Sequence, residues 1–275
     1  MSDSVRHDPA AAAAGFAALH RAGDPLVLPN AWDHASACLL AARGFPAIGT
    51  TSLGVAAAAG LPDGTSATRE ETLRLALALG SEPFLLSVDA EGGFSDDPDE
   101  VAAFARELAA VGAVGINLED GRGSVRRHAA KIAAVKSAAP GLFVNARTDT
   151  FWLGEGDGDA DLGATLRRLD AYQEAGADGV FVPGLTDAGR IAALVDALDV
   201  PLNILYSPTG PPLPHLTDLG VRRISVGSLL YRRALGAAVE AMADVRAGRE
   251  AAGAAPTYAE VRALGEGRGE GRGEG

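Results

Sequence analysis

Phe84-Leu85-Leu86-Ser87-Val88-Asp89-Ala90-Glu91-Gly92-Gly93 decides how this chain is read. An apolar run leads straight into two carboxylates and a glycine pair. The run is apolar on both faces, as a parallel strand covered by helices requires. Carboxylates at the end of a buried strand cost free energy unless they are hydrogen-bonded, paired or metal-bound. The same order recurs where Val114-Gly115-Ile116-Asn117-Leu118 runs into Glu119-Asp120, and where Val144-Asn145-Ala146 runs into Arg147-Thr148-Asp149.

Working outward, short Val-, Ile- and Leu-rich runs alternate with Ala/Leu/Arg/Glu segments of helical period. Strands are expected at about 25–30, 46–51, 84–89, 114–119, 142–147, 179–183, 201–206 and 222–226. Helices are expected at about 10–22, 33–43, 68–80, 98–111, 125–138, 161–175, 186–197 and 228–247. Eight such βα units predict an α/β TIM (β/α)8 barrel with an N-terminal helix. The alternative, an open doubly wound sheet, needs a Gly-rich phosphate turn, and no GxGxxG opens a helix here. Residues 1–9 read as a flexible leader, 10–250 as one barrel domain, and 251–275 as a C-terminal extension. The Gly/Glu/Arg tail from about 265 has nothing with which to build a core and is expected to be disordered.

The length of 275 residues suits one large domain with a sizeable core. A net charge of -12 argues against nucleic acid or an anionic membrane as partner. No apolar run reaches the roughly 18 residues of a membrane span. The lone Cys38 rules out an intramolecular disulfide and fits a reducing compartment. Asp3 and Asp8 interrupt a short polar leader without a signal-peptide pattern, so a cytoplasmic location is expected.

Reactive groups of a TIM barrel stand at the C-terminal ends of its strands. Here those ends carry Thr50-Thr51-Ser52, Asp89 and Glu91, Glu119-Asp120, and Asn145, Arg147 and Asp149. Asp89, Glu91 and Glu119, with Asp63 on a nearby loop, make an oxygen-rich set that suits Mg²⁺ or Mn²⁺. No His or Cys lies in these segments, which argues against zinc there. The alternative is that the acids pair with arginines at the rim. Arg147 is read either as a bidentate holder of a substrate carboxylate or as a bridge to Glu119 or Asp149. Thr50 to Gly54 offers hydroxyls and backbone N–H groups to an anion, or is a plain turn. His34 reads as a capping or packing residue and Cys38 as a small apolar helix residue. His20, His128 and His215 give no pattern.

Several stretches together resemble the isocitrate lyase/phosphoenolpyruvate mutase superfamily. They are Pro29 to Asp33, Thr50-Thr51-Ser52 through Gly60-Leu61-Pro62-Asp63, Ser87 to Phe94, Gly115 to Asp120, Asn145 to Asp149, Ala175 to Asp178 and Val226-Gly227-Ser228. The resemblance spans about residues 12–247. It implies a Mg²⁺-dependent barrel, a homotetramer or homodimer, and a C-terminal helix swapped between neighbours. By position, Asp89 would be the direct metal ligand, with Asp63, Glu91 and Glu119 acting mainly through water. Thr51, Ser52 and Leu53 would bind a substrate carboxylate, and Arg147 with Glu119 would serve catalysis. The departures concern the reaction. Isocitrate and methylisocitrate lyases carry a Lys-Lys-Cys-Gly-His loop; Glu119-Asp120 is followed instead by Gly121-Arg122-Gly123-Ser124-Val125-Arg126-Arg127-His128. Pro183 stands where the mutase has a His. The nearest subgroup includes bacterial oxaloacetate decarboxylases.

The expected function is therefore a Mg²⁺-dependent carbon–carbon lyase or decarboxylase acting on a small 2-oxo or 2-hydroxy carboxylic acid through a metal-stabilised enolate. The alternatives are a phosphoenolpyruvate/phosphonopyruvate mutase or hydrolase, and a barrel that binds a carboxylate without turnover. With so short a loop after Asp120, Tyr206, His34 or a metal-bound water is left to handle the proton, and Arg122, Arg126 and Arg127 are a source of positive charge over the mouth.

Overall fold

Pro29 sets how the barrel closes. Proline has no N–H to give to a ladder, and here it divides the first stave in two. The computed structural model describes residues 8–152 and 161–266; residues 1–7 of the expected leader 1–9 and the tail from 267 fall outside the described residues, whereas Asp8 and Pro9 cap and begin a helix rather than a flexible leader. The elements in order are α1 (Pro9–Leu19), β1 (Leu26–Leu28), β2 (Asn30–Ala31), α2 (His34–Ala42), β3 (Ala47–Thr50), α3 (Ser52–Ala59), α4 (Arg69–Leu79), β4 (Leu85–Asp89), α5 (Pro98–Ala110) and β5 (Ala113–Glu119). Then follow α6 (Val125–Ala138), β6 (Phe143–Arg147), α7 (Leu162–Glu174), β7 (Gly179–Val182), α8 (Ala188–Ala197), β8 (Leu202–Leu205), α9 (Leu213–Asp218), β9 (Arg223–Ser225), α10 (Leu229–Arg246) and α11 (Tyr258–Glu266).

The sheet runs β1-β9-β8-β7-β6-β5-β4-β3-β2, with every neighbour parallel. β1 pairs with β9 and β2 pairs with β3, so the two halves of one stave close a barrel of eight. The Pro29 carbonyl still accepts the Gly49 N–H at 2.8 Å. Asn30 fastens the seam. Its Nδ2 donates to the Thr50 carbonyl at 2.8 Å, and its Oδ1 accepts the N–H groups of Val226 and Gly227 at 3.0 Å each.

All eight expected strands form, and the ninth segment exists because of Pro29. The eight expected helices form as well. Three more were not expected: α3, α9 and α11. In α3, Thr51 stands at the N-cap and Gly60 ends the helix in the left-handed region at φ 71°. That is a helix frame of only eight residues, where the sequence suggested an anion-binding stretch or a plain turn.

α1 plugs the end where the strands begin. Phe16 packs among Leu26, Leu28, Ala47, Leu85, Val114 and Phe143, all at or near strand starts. The His20 ring stacks on Phe143 with centroids 4.3 Å apart. The inner face of the sheet departs from the expected all-apolar strands. Ser87, Asn117, Asn145, Asn203, Arg223 and Ser225 are buried and polar. They satisfy part of one another's bonding: Asn145 donates to Asn117 at 2.9 Å, Arg223 donates to Asn117 at 3.1 Å, and Ser225 donates to Asn203 at 3.3 Å. Among the described residues no helix is long and apolar enough to cross a membrane.

Candidate active site

The acids stand where the strand ends put them. Asp89 closes β4; its N–H is taken by the Thr50 hydroxyl at 2.8 Å, and its Oδ2 accepts the Ser52 N–H at 3.1 Å. These two bonds tie Asp89 to the end of β3 and the first turn of α3. Glu91 follows in the left-handed region at φ 47°. Its carboxylate is buried under the 66–68 loop, accepting the Ser66 N–H at 3.1 Å and the Thr68 hydroxyl at 2.5 Å. Asp63 lies exposed on the loop after α3, with the Ser52 side chain as a hydrogen-bond partner.

Glu119 closes β5 with its Oε2 2.8 Å from Arg147 Nη1. Arg147 closes β6 and also donates from Nε and Nη2 to Asp149 Oδ1, both at 2.7 Å. Both bridges considered from the sequence are thus present at once.

The electrostatics show a shortage of positive charge. Burial pushes Glu119 up to about 8; Asp89, Asp149 and Glu91 add to the rise, and Arg147 opposes it only in part. Burial likewise raises Glu91 against the bonds from Thr68 and Ser66, with Asp63 and Asp89 adding to the rise. Asp63 is raised by desolvation and by Asp89, against its bond from Ser52. Asp149 is raised by burial despite Arg147. The donors are all carboxylate oxygens, the set a hard divalent cation takes. Among the described residues no three of these acids bring ligand oxygens within 4.8 Å of one another. An ion held there would have to keep several of its waters, as Mg²⁺ does.

Asp120 is of another kind, although it adjoins Glu119. Its side chain is fully enclosed and accepts from Arg122 N–H at 2.9 Å, Tyr172 hydroxyl at 2.7 Å, Asp149 N–H at 3.1 Å, Thr148 hydroxyl at 2.8 Å and Arg168 at 2.9 Å. Burial alone would raise its pKa, and these bonds win and lower it. Arg168 also donates to the Gly123 and Arg122 carbonyls. The turn after β5 is therefore laced to α7. Arg127, one of the three arginines near the mouth, pairs with Asp96 at 2.8 Å.

At the anion end, the Thr51 N–H goes to the Ala31 carbonyl at 3.1 Å and the Ser52 N–H goes to Asp89. Thr51 makes no side-chain cap. The next N–H groups of that first turn, those of Leu53 and Gly54, point out of an uncapped helix N-terminus, which favours an anion. A Cβ on Gly54 would meet Thr51 Cγ2 at 2.8 Å and Trp32 Cβ at 2.9 Å, so the turn packs only with glycine. Gly54 closes the Thr50–Gly54 stretch read from the sequence as an anion site or a turn; its place inside a helix is what Thr51 and Gly60 as helix boundaries would have shown.

Of the expected proton handlers, Tyr206 follows β8 at the mouth and is exposed. His34 is not there; its Nε2 lies 2.8 Å from Glu82, in the segment leading into β4. One cation went unnoticed in the sequence. Arg223 is buried inside the barrel, and among the described residues its Nε and Nη1 have no hydrogen-bond partner. Burial lowers its pKa to about 9, with the charge of Asp89 opposing.

The family model described as phosphoenolpyruvate phosphomutase matches residues 16–246. An uncharacterized protein of Mycobacterium tuberculosis (strain ATCC 25618 / H37Rv) is 44% identical over 252 residues, covering 90% of this chain and 95% of its own. The 2-methylisocitrate lyase of Bacillus subtilis (strain 168) is 31% identical over 203 residues, covering 68% of this chain and 64% of the lyase. A phosphonopyruvate hydrolase solved with oxalate and Mg²⁺ superposes with a TM-score of 0.79 at 25% identity, over 92% of this chain and 94% of its own.

Proposed function

The chain belongs to the phosphoenolpyruvate phosphomutase family, and from that premise we propose a Mg²⁺-dependent lyase that cleaves a carbon–carbon bond in a small 2-oxo or 2-hydroxy carboxylic acid. Decarboxylation of oxaloacetate is the simplest instance. The observation that carries the proposal is the all-oxygen, cation-poor cluster of Asp63, Asp89, Glu91 and Glu119 beside Arg147 and an uncapped helix end.

When bound, the ion supplies Lewis acidity to adjacent substrate oxygens. The chain supplies the rest. Asp89, immobilised by Ser52 and Thr50, would hold the ion, with Asp63, Glu91 and Glu119 beside it. The Ser52 side chain and the N–H groups of Leu53 and Gly54 receive the substrate carboxylate, with Thr51 fixing the turn. Arg147, oriented by Asp149, neutralises the second acidic group. Glu119, whose Oε2 accepts from Arg147, holds or releases a proton at Oε1.

Phosphorus–carbon chemistry is the second reading, and the family model's own description favours it. A phosphoryl group demands cations, and at the mouth Arg127 and Arg168 are already paired with Asp96 and Asp120. That is why carbon–carbon cleavage is preferred.

The same reading makes the protein a homo-oligomer. Leu235, Val239, Met242 and Val245 are exposed on α10, and we propose that a second copy covers them.

The test incubates the protein and Mg²⁺ with oxaloacetate, methylisocitrate, isocitrate, malate and phosphonopyruvate. Pyruvate with carbon dioxide, or a carboxylic acid with glyoxylate or pyruvate, supports the lyase. Pyruvate with phosphate supports the second reading. Silence on all of them with Mg²⁺ bound favours a carboxylate-binding barrel. Asp89→Ala is expected to abolish Mg²⁺ binding by calorimetry; unchanged affinity sinks the site assignment.

A further inference from the structure

Away from the mouth, three unlike donors meet against the outside of the barrel. His34 is the first residue of α2 and Cys38 stands four residues on, so the two share a helix face. Glu82 reaches them from the segment between α4 and β4. His34 Nε2 lies 2.8 Å from Glu82 Oε1, Cys38 Sγ lies 3.4 Å from His34 Nε2, and Cys38 Sγ lies 3.8 Å from Glu82 Oε2. We propose that His34, Cys38 and Glu82 form a binding site for a borderline-soft divalent ion of the Zn²⁺ class, separate from the carboxylate cluster.

Three observations support this. The first is distance. Tetrahedral zinc with nitrogen, sulfur and oxygen ligands holds neighbouring donor atoms about 3.3–3.6 Å apart. The three separations straddle that range, so small side-chain shifts admit the ion. Among the described residues this is the one group of three or more His, Cys, Asp or Glu whose donor atoms all lie within 4.8 Å of one another.

The second is donor chemistry. Imidazole with thiolate selects zinc and its neighbours, whereas Mg²⁺ takes oxygen alone. The cluster therefore does not compete with the mouth for its ion. All three residues are partly exposed, which leaves the fourth position to water.

The third is preorganisation. Asp33 caps α2 through the Ser36 N–H at 2.7 Å, and the Ser36 hydroxyl faces back to the Asp33 N–H, so the turn carrying His34 is fixed. Glu82 is set by backbone bonds on both sides: its N–H donates to Leu79 and its carbonyl accepts from Phe84. Binding releases the Cys38 thiol proton to solvent, so affinity falls as the pH drops. A bound ion would pin α2 to the segment that launches β4, the strand that ends at Asp89.

The experiment titrates the full chain with Co²⁺ and then Zn²⁺ in excess Mg²⁺. One equivalent of Co²⁺ is expected to give a thiolate-to-cobalt charge-transfer band that Zn²⁺ abolishes. Cys38→Ser removes the band. Glu82→Gln keeps it and weakens Zn²⁺ binding by no less than the roughly tenfold cost of losing an outer-shell partner. Asp89→Ala leaves band and affinity unchanged, which separates this site from the mouth. Should Cys38→Ser not fold, Glu82→Gln carries the test. Absence of a thiolate band in the parent protein, its persistence in Cys38→Ser, or unchanged Zn²⁺ affinity in Glu82→Gln overturns the proposal.

Discussion

Glu119 and Asp120 are adjacent in sequence and opposite in electrostatics. Glu119 is raised to about 8 by burial among other acids, while Asp120 is lowered by the donors that surround it. Asp120 therefore belongs to the framework. Asp120→Ala strands Arg168, Tyr172 and Thr148 without their acceptor and is expected to cost about 3 kcal/mol or more, read from urea unfolding. Two buried histidines each take stability away in acid, against the opposite contribution of the raised Glu119. Burial takes His20 from 6.5 to about 3, with Arg223 adding to the drop. Burial takes His128 to about 4, with Asp120 opposing in part. Both rings are neutral when folded and take a proton near 6.5 when unfolded, so the unfolded chain binds more protons below that pH. The contribution of each ring is then expected to fall by about 1.4 kcal/mol per pH unit as the pH drops from 6.5 towards 4. His20→Gln should flatten that slope in denaturation series at several pH values; an unchanged slope contradicts it.

At the scale of elements, α3 is the piece whose placement matters most to the site. Gly54→Ala puts a methyl 2.8 Å from Thr51 Cγ2 and 2.9 Å from Trp32 Cβ. Overpacking of this kind costs about 1–3 kcal/mol, and the displaced turn should raise KM for a carboxylate substrate more than it lowers kcat. Equal KM in the variant and the parent would show that the turn does not hold substrate. The barrel was legible because β4, β5 and β6 each end an apolar run in charge, and that pattern needs only local reading. α3 was not, because Ser52 to Ala59 is a run of small residues with no polar face. The pairing of Glu82 with His34 and Cys38 joins residues 48 and 44 positions apart, which only the folded sheet brings together. Asp120 was grouped with Glu119 because strand periodicity shows that neighbours point apart but not which of them meets a donor.

For the whole molecule, the exposed stripe of Leu235, Val239, Met242 and Val245 on α10 is the surface that asks for a partner. Val239→Glu with Met242→Glu is expected to shift the protein to a smaller species in light scattering while leaving the barrel's circular dichroism intact. An unchanged mass would place the oligomer contact elsewhere. The divided first stave has a consequence for how this chain is made. Leu26 to Leu28 find their ladder partners at Arg223 to Ser225, the last of the described strands to leave the ribosome. Until then one seam of the growing sheet stands open, and the apolar residues of β1 wait nearly the whole of translation for their neighbour. Such long-range pairing slows folding and exposes a strand edge to other chains. Asn30, which ties the end of β3 to the loop after β9, can close its three bonds only when synthesis of the barrel is complete.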